Sequence, residues 1–133
     1  MEISEIVSKY NLKLLLTFGS YNTERYRPDS DIDVAYLSHD KLDVDRELQL
    51  LNDIALYFRK DRIDLVNLEK AVPLLMYEIA NGATALYEEN DSFMRFKLKA
   101  WARYADTKHL REKRRLYLNE KVEEYKISMR GGN

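Results

Sequence analysis

"TFGSYNTERYRPDSDIDVAYLS", residues 17–38, decides how this chain folds and what it does. An apolar run ends at Gly19-Ser20. Ten residues later Asp31-Ile32-Asp33 leads into Val34-Ala35-Tyr36-Leu37. In a strand, residues i and i+2 share a face, roughly 6.5 Å apart. Asp31 and Asp33 therefore converge, while Ile32, Val34 and Tyr36 turn to the core. Two like charges that close are costly unless a cation sits between them. Oxygen-only ligands suit Mg²⁺, with Mn²⁺ as an alternative. Taken alone, Pro28-Asp29-Ser30-Asp31 also reads as an ordinary turn into a strand. Gly19-Ser20 has two readings as well. A Gly-Ser pair after a buried strand lets the backbone approach a phosphate, held by free N–H groups and the Ser20 hydroxyl. It equally suits a plain strand-to-helix turn with Ser20 as cap.

Outward from this stretch, strands and helices alternate. Residues 2–9 predict a short helix with Ile3, Ile6 and Val7 on one face. Residues 12–18 and 31–38 predict two strands. Residues 42–59 predict a helix whose apolar stripe is Leu42, Leu48, Leu51, Ile54, Ala55 and Phe58. Residues 62–68 predict a third strand. Residues 71–81 predict a helix opened by Pro73 and closed by Gly82. Residues 83–87 predict a further short strand. From Asp91 to about Lys126 the pattern is helical, capped by Asp91 or Ser92, with a possible break at Asp106-Thr107. Gly131-Gly132-Asn133 reads as a loose end. The fold class is α/β (α+β): a small mixed sheet flanked by helices, with a helical C-terminal segment.

Asp64 interrupts an apolar strand, Ile63-Asp64-Leu65-Val66. If that strand pairs beside residues 31–38, Asp64 joins Asp31 and Asp33. Three carboxylates then hold two metals, the arrangement that serves in-line phosphoryl or nucleotidyl transfer. The plainer readings are an edge strand with Asp64 in solvent, or a salt bridge to Arg62.

Composition narrows the classes. With 133 residues, one domain over 1–130 is expected: a core at 1–90 and a helical segment at 91–130. The absence of cysteine excludes disulfides, thiolate metal sites and cysteine nucleophiles. No signal-peptide pattern and no membrane-length apolar run is present, so the expected location is the cytoplasm. The net charge of −1 is split unevenly. Residues 1–94 carry 10 Lys+Arg against 18 Asp+Glu, and residues 95–133 carry 12 against 5. The basic end reads either as a solvated helix face or as a surface for an acidic partner or phosphate. His39 and His109 lack metal spacing and read as surface groups. Trp101, Phe96 and Leu98 read as core, and the tyrosines as packing residues.

Gly19-Ser20, ten residues, then Asp31-Ile32-Asp33 is G-S-x(10)-D-x-D. This resembles the signature of minimal nucleotidyltransferases of the DNA-polymerase-β-like superfamily, with Asp64 where the family places its third carboxylate. "RPDSDID" (27–33) and the run at 79–106 resemble the MNT antitoxins of MNT–HEPN toxin–antitoxin pairs, the MntA-like adenylyltransferases. The resemblance implies a nucleotidyltransferase fold and transfer of AMP from ATP, with two Mg²⁺ ions, onto a tyrosine of a partner HEPN-domain ribonuclease toxin. It implies that Asp31 and Asp33 bind both metals. Asp64 would bind one and help activate the attacking hydroxyl. Gly19 and Ser20 would hold nucleotide phosphates, with Ser30 in support. The chain departs from the family after Gly-Ser. A small residue followed by Arg-Gly is usual there, and here Asn22, Thr23 and Glu24 stand instead, with Arg25 and Arg27 the nearest bases. Two rival functions stay within reach of the residues: nucleotide transfer to a cationic antibiotic, and inhibition of the toxin by binding alone. No direct nucleic-acid binding is expected, because acids at 112, 120, 123 and 124 interrupt the basic tail. An oligomer with the toxin is possible.

Overall fold

A computed structural model describes residues 1–131. Gly132 and Asn133, the loose end expected from sequence, lie outside the described residues. Helix α1 (Ile3–Tyr10) leads through Asn11, in left-handed backbone at φ 52°, into β1 (Leu12–Phe18). A 3₁₀ turn (Gly19–Asn22) and a loop follow, then β2 (Ile32–Ser38) and α2 (Val44–Phe58). Next come β3 (Ile63–Asn67), α3 (Pro73–Gly82), β4 (Thr84–Glu88) and α4 (Ser92–Gly131).

The sheet order is β3-β2-β1-β4. β1 pairs antiparallel with β2 and β4, while β2 and β3 are parallel. This is the mixed sheet that the sequence predicts. Both faces of its centre are covered, which explains the unbroken apolar run in β1. On one face Leu12, Leu15, Ile32, Val34 and Tyr36 pack with Ile6, Leu50 and Ile54 from α1 and α2. On the other, Leu14, Leu16 and Ala35 pack with Met76 and Ile79 of α3 and Phe96 and Ala100 of α4.

Polar ties fasten α1 to α2. Lys9 Nζ lies 2.9 Å from Asp53, and the Tyr10 hydroxyl donates to the same carboxylate. Arg46 donates to the Lys9 carbonyl at 2.7 Å and lies over the Tyr10 ring. Asp43, in extended backbone, caps α2 by accepting from the Arg46 N–H at 2.8 Å. The buried Tyr36 hydroxyl donates to Glu47 at 2.6 Å, so α2 is also pinned to β2. Pro73 opens α3 as expected.

Four expectations are corrected. Leu42 precedes α2 rather than belonging to it, and Leu48 is 53% exposed. Ile54 of the expected stripe is buried and Leu51, Ala55 and Phe58 are half-buried, while the buried Leu50 was not expected. Gly82 ends α3 without left-handed backbone, and the next residue, Ala83, is extended. α4 runs unbroken through Asp106-Thr107. There the Thr107 hydroxyl donates to the Arg103 and Tyr104 carbonyls within the helix, so a weak helix former is accommodated. Phe96 is core, but Leu98 is exposed and Trp101 is 39% exposed, its indole N–H donating to Asn81 at 3.0 Å. Among the described residues no helix is long and apolar enough to cross a membrane.

Candidate active site

The end of β1 and the starts of β2 and β3 lie at the same edge of the sheet. Phe18 is in register with Asp33, and Asp33 with Asp64. Register partners on neighbouring strands lie about 4.8 Å apart and point to the same face. That face is the one covered by α3 and α4 farther along the strands. The local alternation follows from the sequence. Ile32 and Val34 go to the α1–α2 core, so Asp33 must point the other way, as expected. Asp31 sits just ahead of β2 and is exposed. Asp64 is also exposed, because β3 is the edge strand. No ion pair joins it to Arg62 among the described residues.

Gly19 closes the site from the β1 side. Its backbone is left-handed, φ +70°, and a Cβ built on it would stand 2.1 Å from Asp33 Oδ2. Two constraints thus demand glycine at one position: the backbone sign and the carboxylate pressed against its Cα. The segment that follows is a single 3₁₀ turn rather than a longer helix, and no side chain caps its start. Thr23 folds the segment back, its N–H and hydroxyl both donating to the Ser20 carbonyl at 3.0 and 2.9 Å.

Burial holds the Asp33 carboxyl above the ordinary aspartate range, helped by the negative charges of Asp64 and then Asp31. Asp33 thus lies within electrostatic reach of both Asp64 and Asp31. No lysine or arginine is ion-paired to any of them among the described residues. No three acidic or histidine side chains among the described residues stand close enough to form a closed metal cage by themselves. The donor set nevertheless suits a hard divalent ion: oxygen atoms only, excess negative charge, and a carboxylate seated beside a bare glycine backbone.

The other expected residues are placed as follows. Ser30 does not contact the carboxylates. Its hydroxyl accepts from the Arg27 N–H at 3.2 Å, and its own N–H donates to the Arg27 carbonyl at 2.9 Å. It builds the turn that delivers Asp31. Arg25 and Arg27 are exposed. His39 pairs with Glu89 at 2.6 Å and His109 is exposed, so both are surface groups. Arg103 and Arg111 are engaged along the helices, by Met76 and by the Tyr104 ring and carbonyl.

Sequence reasoning missed what holds the loop between Gly19 and Asp31. Tyr21 packs edge-on to Tyr26 and to Phe58, with centroids at 5.1 and 5.6 Å. Lys60 lies over Tyr26 and donates to the Pro28 carbonyl. The available signal was two tyrosines five residues apart in an otherwise polar loop.

Comparison with known proteins places the chain in a family. Residues 1–92 match the family described as polymerase beta, nucleotidyltransferase. The chain is 28% identical over 109 residues to the protein adenylyltransferase MntA of Shewanella oneidensis, covering 82% of this chain and 76% of that one. It superposes on a toxin–antitoxin structure with AMP-PNP at a TM-score of 0.72 and 26% identity, covering 90% of this chain and 95% of that one. A structure of the tri-AMPylated Shewanella oneidensis HEPN toxin in complex with its MNT antitoxin matches at 0.66 and 25% identity, over 90% and 92% of the two chains. The family match spans the whole sheet, including Gly19, Asp31, Asp33 and Asp64, and this chain belongs to the polymerase-β-type nucleotidyltransferases.

Proposed function

We propose that this chain is an adenylyltransferase that moves AMP from ATP onto a tyrosine of a HEPN-domain ribonuclease toxin, and so acts as that toxin's antitoxin. The observation that carries the reading is the fit of the Asp33 carboxylate against the bare Cα of Gly19, with Asp64 in register beside it. A backbone that must bring phosphate next to carboxylates needs this apposition. The resemblance to MntA, and to structures with AMP-PNP and with an AMPylated toxin, supports the choice of nucleotide and acceptor.

In this reading the amides at Gly19-Ser20 and the Ser20 hydroxyl grip the triphosphate. Asp31, Asp33 and Asp64 would hold Mg²⁺, or Mn²⁺ in its place, which when bound neutralises phosphate charge. The tyrosine oxygen forms a bond to the α-phosphorus. The bond from that phosphorus to the bridging oxygen breaks, and pyrophosphate leaves with the electron pair. Asp64, exposed at its edge position, takes the phenolic proton. Ser30 acts indirectly, by shaping the turn ahead of Asp31. Residues 1–90 carry this chemistry and 91–130 form the helical extension.

Labelled ATP tests the reaction class. With Mg²⁺ and a HEPN-domain toxin as partner, label in the α-phosphate is expected on the partner's tyrosine, and label in the γ-phosphate in pyrophosphate. Transfer of the γ label to protein would mean phosphorylation and would contradict the proposal.

A further inference from the structure

Every residue from Glu112 to Met129 is exposed, although α4 continues to Gly131. At 1.5 Å per residue this free part of α4 projects about 30 Å. Helical stability in proteins comes mainly from packing an amphipathic face, and here that face is unpaired. At about 3.6 residues per turn, the side of α4 that carries Phe96, Ala100 and Tyr104 onto the domain continues in the same direction. It passes through Thr107 and Arg111 and emerges as Leu118, Val122, Tyr125 and Met129. These four are 50–65% exposed. Their spacing of 4, 3 and 4 is the seam spacing of paired helices.

Charge is segregated about this seam. Arg114 and Arg115 flank its start, with Lys121 and Lys126 farther along. Glu112, Glu120, Glu123 and Glu124 all fall on the opposite side. Lys121 and Lys126 reach round to Glu124 and Glu123 at 3.4 and 3.6 Å. Arg114 and Arg115 have no ion pair among the described residues. Leu116 and Ile127 are exposed too, but on the acidic side, outside the seam.

We infer that Leu118, Val122, Tyr125 and Met129, with Arg114 and Arg115, form a docking surface for an amphipathic helix of the toxin partner that carries acidic residues beside its apolar ridge. The inference rests on the proposed function for the partner's identity. An apolar seam flanked at its start by arginines complements such a helix in both shape and charge. A second copy is a poor occupant. In parallel it sets arginine against arginine, and in antiparallel it brings residues 125–131, which contain no acid, to Arg114 and Arg115. RNA would match the arginines and leave the apolar seam exposed to water.

The test is calorimetric titration of the full chain with its HEPN-domain toxin partner. The double variant Val122→Glu/Tyr125→Glu is expected to weaken binding about 100-fold, while Ile127→Glu on the acidic side stays within about threefold of wild type. The pair Arg114→Glu/Arg115→Glu is expected to weaken binding and flatten its salt dependence. All these positions are exposed, and unchanged helical circular dichroism confirms the fold. Equal affinity of the seam variant and wild type overturns the inference. So does equal loss from Ile127→Glu, a wild-type dimer that the seam variant breaks in sedimentation, or binding of a single-stranded RNA oligonucleotide that the seam variant loses. Label transfer separates the two claims. A seam variant with raised KM for the partner and unchanged kcat supports both. Tight seam-dependent binding with no AMP transfer by wild type rejects the chemistry and keeps the docking surface.

Discussion

Asp33→Asn is expected to lower AMP transfer by at least about 1,000-fold, a loss of more than about 4 kcal/mol of transition-state stabilisation, while raising the thermal midpoint slightly. The two effects have one cause. Asp33 is the carboxyl that burial and two neighbouring carboxylates burden most, so its charge destabilises the metal-free fold. The same charge is what a cation and a triphosphate need. The pH dependence follows. Asp33 binds its proton more tightly folded than unfolded, so the folded chain carries the extra proton between the two pKa values. Its contribution therefore lowers stability as pH rises from the ordinary aspartate range through the raised value, and is constant above it. Thermal melts in chelator from about pH 3 to 7 are expected to lose that downward component in the Asn variant. Label transfer reads the activity. A variant with near-wild-type transfer would remove Asp33 from the chemistry.

Gly19→Ala carries the second large effect. Left-handed backbone costs a β-carbon residue about 1–2 kcal/mol. The added Cβ would stand 2.1 Å from Asp33 Oδ2, so the carboxylate must swing away from its position. We expect a loss of about 2 kcal/mol or more in stability and about 100-fold in kcat/KM. A double-mutant cycle separates the two costs. In a Gly19→Ala background, Asp33→Ala is expected to recover part of the stability and none of the activity. If Gly19→Ala melts as wild type and keeps full activity, the apposition has no functional weight.

What the sequence shows of the candidate site is periodic and local. Alternation in β2 sends Ile32 and Val34 one way and Asp33 the other whatever the rest of the chain does. Gly19 and Asp33 stand out because no apolar strand needs either of them. The bounds of β1, residues 12–18, were legible for a similar reason: an apolar run stopped by Asn11 and Gly19. What was not legible depends on distant partners. That β3 lies at the sheet edge, leaving Asp64 exposed, follows from strand pairing that periodicity does not encode. Leu48 fits the apolar stripe of α2, yet nothing of the sheet reaches it. Trp101 reads as core by its type, but it lies at the rim of α3–α4 packing with its indole N–H on Asn81. The break expected at Asp106-Thr107 is absent because Thr107 satisfies its hydroxyl inside the helix. The turn that Ser30 builds with the Arg27 backbone was not legible either, because it depends on the loop's own folding.

Intact mass spectrometry of the HEPN-domain partner, after incubation with this chain, ATP and Mg²⁺, tests the central claim most directly. The account predicts that the partner gains whole AMP units with wild type and none with Asp33→Asn. An unmodified partner after it has formed a stable complex with wild type and ATP would contradict it.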